Sequence, residues 1–157
     1  MNIYPESHIK DLLLNLINYK LTCVISLTYV DMNESQDMQP QELLLVFESG
    51  KKLRISCSSD GESIACDEQD LKEVNLGEYG KLILMDISST YFWKNKIGNK
   101  LLNISLVLSS GYYFGLLFNF DKNNSIVLIN LGDELFIYEN LPESLVQEES
   151  IIYRPLN

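Results

Sequence analysis

The chain has a single histidine, and that scarcity removes a good deal of chemistry. A zinc helix of the H-E-x-x-H kind needs two. His8, at the start of the first predicted helix, reads as an exposed surface residue with no partner to give it a titrating role. Cysteine is equally sparse: Cys23, Cys57 and Cys66 are odd in number and lack C-x-x-C spacing. No disulfide framework or zinc site is expected. Cys23 and Cys57 lie in apolar, strand-like runs and are predicted to be buried thiols. There is no G-x-S-x-G elbow and no glycine-rich phosphate loop, since Gly77-x-x-Gly80 alone is too little. Asp60-Gly61-Glu62 and Asp67-Glu68-x-Asp70 lack the order of a calcium loop. No metal and no cofactor are therefore expected, and catalytic residues are none. Carboxylates alone can hydrolyse glycosides, but the pair Asp133-Glu134 would point to opposite faces of a strand.

Long hydrophobic runs are also missing. None approaches the ~20 residues that span a bilayer, and MNIYPESHIKD has neither the basic nor the apolar region of a signal peptide. A soluble, cytoplasmic, reducing setting is the expectation. Positive charge is scarce: 12 basic against 22 acidic residues give a net charge of −10. Such a chain is repelled by nucleic acid and by anionic membranes, so neither is expected as a partner, whereas basic proteins are attracted. The one local meeting of aromatics and lysines, Tyr91-Phe92-Trp93 with Lys94, Lys96 and Lys100, reads as an aromatic anchor on the core with lysines on its solvated side.

What remains is apolar and periodic. Nearly half the residues are hydrophobic, enough for one buried core. Ile9, Leu12, Leu13, Leu16 and Ile17 form one stripe at helical spacing, with Pro5 and Ser7 as start signals. Leu21–Val30 alternates as a strand that turns Leu21, Cys23, Ile25, Leu27 and Tyr29 one way. The polar segment 31–41 predicts a contact loop. Leu43–Phe47 and Lys52–Cys57 form a hairpin. The continuous run Leu82–Ile87 suits a well-covered strand. Leu101–Ser109, Phe114–Asp121, Ile126–Leu131 and Leu135–Tyr138 are further strands. Leu102, Ile104, Leu106 and Leu108 are predicted on one face, as are Phe114, Leu116, Phe118 and Phe120. A helical turn follows Pro142, and Ile151, Ile152 and Tyr153 are expected to tuck inwards.

The stretches 20–64 and 100–138 can be laid on one another. Ile25-Ser26-Leu27 matches Ile104-Ser105-Leu106, Val46-Phe47-Glu48 matches Asn119-Phe120-Asp121, and Asp60-Gly61-Glu62 sits where Gly132-Asp133-Glu134 does. The fold class is therefore α+β: an N-terminal helix on a mainly antiparallel β-sheet built from two related β-meander units, in one domain over 1–157.

Three segments carry a resemblance: Phe92-Trp93…Ile97-Gly98-Asn99-Lys100…Ile104, then Gly115-Leu116…Phe118…Phe120, then Asn130-Leu131-Gly132-Asp133-Glu134-Leu135. In these the chain resembles small bacterial immunity-type proteins of polymorphic-toxin and contact-dependent secretion loci. The resemblance covers the last third, and the long acidic middle departs from it. It implies a protein that binds and blocks one cognate toxin and has no catalytic residues; the chain itself is expected to be a monomer or homodimer. A homodimer or scaffold joined through an exposed β edge is the alternative, and a carboxylate-only hydrolase a further one. Candidate contact residues are the acids Asp60, Glu62, Asp67, Glu68, Asp70, Glu73, Asp133 and Glu134. Tyr91, Tyr112 and Tyr113 join them as aromatic anchors of the type common at interfaces.

Overall fold

The computed structural model describes residues 5–31 and 40–156. The predicted loop over 31–41 falls mostly outside them; its last two residues, Pro40 and Gln41, already belong to a strand. Helix α1 spans Ser7–Leu14, with Glu6 rather than Ser7 at the N-cap. It ends short of the predicted stripe, and the backbone reverses at Asn18, whose φ is 74°. Leu13 and Leu16 still reach the core.

The strands are β1 (Leu21–Val30), β2 (Pro40–Phe47), β3 (Lys52–Cys57), β4 (Ile64–Asp67), β5 (Val74–Asn75) and β6 (Lys81–Asp86). They continue with β7 (Leu101–Ser109), β8 (Tyr112–Phe120), β9 (Asn124–Leu131), β10 (Glu134–Tyr138) and β11 (Ile152–Pro155), with helix α2 (Glu143–Glu148) before the last. One sheet has six strands in the order β4-β3-β2-β1-β6-β5, the other five in the order β10-β9-β8-β7-β11. All pairings are antiparallel. Each sheet thus contains a four-stranded meander, β1–β4 and β7–β10, and the two are joined at their starts by an antiparallel bridge between Lys20 and Lys100.

The meanders share their register. Leu21 pairs with Phe47 and Leu101 with Phe120, and each pair is followed by a bulge, at Thr22 and at Leu102. Glu48 donates its N–H to the Lys20 carbonyl, and Asp121 donates to that of Lys100. A second bulge recurs where Gln41 and Phe114 are the extra residues. Arg54 opposite Asp67 corresponds to Val127 opposite Tyr138. In this frame Val24, not Ile25, takes the place of Ile104.

The bulges account for the largest departures from alternation. An extra residue reverses the parity of everything beyond it. Past Thr22, the inward side chains of β1 are Val24, Ser26 and Thr28, while Ile25 and Leu27 lie on the outer face with Leu44 and Leu71. Leu102, predicted inside, is 46% exposed, and Leu101 is buried instead. Phe114 leaves the face of Leu116, Phe118 and Phe120 and joins Val107 and Ile129 on the outside of the second sheet, against Leu145 and Val146 of α2.

The main core draws on both sheets and α1: Leu13, Val24, Phe47, Ile55, Ile104 and Phe118 are among its members. Trp93 is buried as predicted, but Phe92 is 38% exposed. Lys96 is not on a solvated side. It is fully buried, with its ammonium 3.3 Å from Glu139 Oε2. The run Leu82–Ile87 is less covered than predicted. Strand β5 pairs only with Leu82 and Lys81, so the outer edge of β6 is open beyond them and Leu84 is 42% exposed. At the C-terminal end, Ile151 is buried, but Ile152 and Tyr153 are exposed on β11, a strand with no clear alternation in its sequence. Cys66 is the buried cysteine, while Cys23 and Cys57 are half-buried.

Candidate functional site

The acidic segment 60–73 divides into two unlike parts. The turn between β3 and β4 is organised by Asp60. Its Oδ1 accepts from the Glu62 and Ser63 N–H groups at 2.8 Å each, and its Oδ2 from the Ser63 hydroxyl at 2.6 Å. The Ser63 hydroxyl, then the two N–H groups, hold the Asp60 carboxyl below its ordinary range. This is the short-range turn chemistry that aspartate favours. The Ser63 carbonyl in turn accepts a buried hydrogen bond of 3.0 Å from Asn130 Nδ2 of β9, which fastens this tip to the second sheet.

Asp60 lends stability above the unfolded carboxylate value of about 3.9, and that contribution disappears as pH falls through the lower folded value. Asp60→Ala is expected to lose about 1 kcal/mol at pH 7. The difference from the parent should narrow in urea titrations as pH falls below about 4; a difference that stays constant into the acid would contradict the charge-based account.

The turn between β9 and β10 lies beside this tip. Gly132 and Asp133 have φ of 59° and 64°, the two positive angles a tight twisted hairpin turn requires. Glycine takes that conformation freely, and Asp tolerates it better than most residues. Glu62, Tyr112, Gly132 and Glu149 surround a small depression of about 180 Å³ here. Tyr113 is next door, half-buried against the core. Burial first, then the charges of Cys66, Asp60 and Glu6, push its hydroxyl up. On the other flank, Asp133 and Glu134 face Glu42, Ser56 and Cys57 across a polar cleft of about 580 Å³. Burial first, then Asp133 and Glu134, push the Cys57 thiol up to about 11. It is protonated at neutral pH and makes a poor nucleophile.

The other acids point elsewhere. Asp67 receives Arg54 Nε at 2.8 Å and a terminal guanidinium nitrogen at 2.5 Å, a two-pronged pair. Burial pushes the Asp67 carboxyl up, but Arg54 and the Gln69 N–H outweigh it and leave it lowered. Asp70 binds Lys52 at 2.5 Å, and Glu73 accepts the Leu84 N–H at 2.9 Å, covering one outward group on the open edge of β6. Glu68 is exposed. Tyr91 is 70% exposed, edge-on to Phe92 with ring centres 5.8 Å apart and Lys94 over its face.

The structure therefore gathers Asp60, Glu62, Tyr112, Tyr113, Asp133 and Glu134 around the two neighbouring tips and leaves Asp67, Asp70 and Glu73 tied to their own sheet. Sequence reasoning missed Glu42 and Glu149 as members. It also missed Arg54 and Lys52 as internal partners, which only the β3–β4 register reveals. Among the described residues no group of three or more His, Cys, Asp and Glu side chains could hold a metal ion, and no helix is long and apolar enough to cross a membrane. The chain matches no family model, no curated protein and no solved structure.

Proposed function

We propose that this chain is a non-catalytic protein-binding domain, an immunity protein that holds and blocks a cognate secreted bacterial toxin through its acidic surface. The observation that carries the reading is the pair of neighbouring turns that hold Glu62, Asp133 and Glu134 exposed, with Tyr112 beside them. A toxin that works on phosphates needs a basic face, and an acidic inhibitor is steered to it and covers it. The working place of the protein would be the cytoplasm. A second reading, self-association through a β edge, is favoured by the open side of β6 with Leu84 exposed.

Both readings meet in one experiment. The chain is co-expressed with the toxin-like product of a neighbouring gene, and growth rescue and complex formation on a sizing column are measured. Rescue and a one-to-one complex are expected, with association slowed about tenfold by Asp133→Lys with Glu134→Lys and little affected by Asp67→Asn. Failure to rescue together with no complex would reject the immunity reading. A larger species formed by the chain alone would support the β6 edge.

A further inference from the structure

The shared register of the two meanders exposes one place where they differ in kind. The inward positions of β7 are Ile104, Leu106 and Leu108, all buried. Their counterparts in β1 are Val24, Ser26 and Thr28, and the two hydroxyl residues are each 1% exposed. Where the second unit fills its inner face with two leucines, the first has a serine and a threonine. Ser26 and Thr28 line a cleft of about 500 Å³, walled by Met85, Ile87, Trp93 and Phe136. That size is within the range of small-molecule sites, which are mostly apolar with a few placed polar groups.

The hydroxyls are 2.9 Å apart and share one hydrogen bond, whichever donates. Two O–H groups and one shared bond leave one O–H over. Among the described residues neither hydroxyl makes a further side-chain hydrogen bond. Where that O–H faces the cleft, an acceptor atom of a bound molecule can take the place of water on it. No charged side chain lines the cleft among the described residues. It adjoins the acidic cleft, however: Pro40 and Leu135 line both, and Glu42, Asp133 and Glu134 stand on the far side. An anion there would be repelled, and a cation attracted.

We infer that the space between β1, β6 and β10 is a binding site for a small organic cation. Its apolar body sits against Trp93 and Phe136, an acceptor atom meets the Ser26–Thr28 pair, and its positive end points to Asp133 and Glu134. The site shares Asp133 and Glu134 with the surface proposed for the protein partner, but it does not depend on that reading.

Trp93 is the only tryptophan of the chain, so energy transfer from it to a dansyl group reports occupancy directly. Dansylcadaverine supplies an apolar ring, sulfonyl acceptors and an ammonium tail; dansylamide lacks the charge, and dansylglycine carries the opposite one. Saturable sensitised emission is expected with dansylcadaverine, with dansylglycine about tenfold weaker or worse. Ser26→Leu with Thr28→Leu installs the residues of the second unit; it should abolish binding and raise the melting temperature. Thr28→Val keeps the shape and removes one hydroxyl; an affinity loss of about fivefold is expected, and this variant serves if the double one does not fold. Asp133→Asn with Glu134→Gln should bring the three probes closer together. No saturable transfer, equal affinity for all three probes, or undiminished binding in the leucine variant would overturn the site.

Discussion

Glu139→Ala is expected to lower folding stability by about 3 kcal/mol, while Lys96→Met changes it by less than about 1 kcal/mol or raises it. The asymmetry follows from where the two charges lie. The side chain of Lys96 is 1% exposed and that of Glu139 is 37% exposed, with 3.3 Å between nitrogen and oxygen. If the lysine is lost, the carboxylate still has water beside it, and a methionine of similar length can fill the vacated channel. If the glutamate is lost, an ammonium remains in a place with almost no solvent, and burying a charge without its partner is among the most costly single changes. The pair also joins two parts of the chain. Lys96 belongs to the turns that run from β6 to β7, held by the bond of its N–H to the Trp93 carbonyl at 2.8 Å. Glu139 follows the end of β10, where its carbonyl accepts from Ser125 Oγ at 3.2 Å. At about 2–4 °C per kcal/mol for a chain of this size, Glu139→Ala should melt about 6–12 °C lower. Calorimetry of the two single variants decides the matter: equal losses, or a larger loss for Lys96→Met, would show that packing rather than the unpaired charge governs the site.

The elements that could be read from residues alone are those whose pattern is local. Alternation found the four strands of the second meander, and the tight turn at Gly132-Asp133 was signalled by its composition. What alternation cannot contain is a bulge. Thr22 and Leu102 each look like one more member of a regular strand, and only pairing with β2 and β8 shows them to be extra. The error is then systematic. Alternation sets Ile25 and Leu27 on the face of Leu21 and puts Ser26 and Thr28 on the opposite one, and so it conceals the cleft that these two hydroxyls line. Lys96 was hidden for a different reason. A buried lysine has no sequence signature of its own, because its partner Glu139 lies far along the chain. The acidic surface was half legible. Composition located the acids, but the split between exposed Glu62 and paired Asp67 depends on Arg54 standing opposite Asp67 in the ladder.

Gly115→Ala should be among the most damaging single methyl additions in this protein. In a strand, replacing glycine by alanine ordinarily helps by about 0.5–1 kcal/mol, because glycine has more freedom to lose on folding. Here a Cβ would lie 2.5 Å from Ile129 Cγ2 and 2.5 Å from the Leu128 carbonyl oxygen, with Ile129 Cα at 3.2 Å. The isoleucine methyl can swing aside, but the carbonyl belongs to the backbone of β9, where Gly115 is paired with Ile129. On the other side Gly115 pairs with Val107 of β7, immediately before the bulge at Phe114, so β8 is held from both edges and cannot drift away. The equivalent residue of the first meander is Glu42, whose side chain reaches out to Arg54 at 3.5 Å, so the constraint comes from the local approach of β8 to β9 and not from the shared architecture. A loss of about 3 kcal/mol is expected, as for other overpacked interiors. Gly111→Ala is the control. Its φ of 86° is unfavourable for alanine, yet nothing lies within 4 Å of the added Cβ, so only the strain of about 1–2 kcal/mol applies. Adding Ile129→Ala to Gly115→Ala should not restore stability, since it removes one of the two close contacts and leaves the carbonyl, while opening a hole of its own in the outer-face cluster. Urea unfolding of the three variants separates the causes. If Gly111→Ala costs as much as Gly115→Ala, backbone conformation and not the approach of β9 sets the requirement for glycine in this meander.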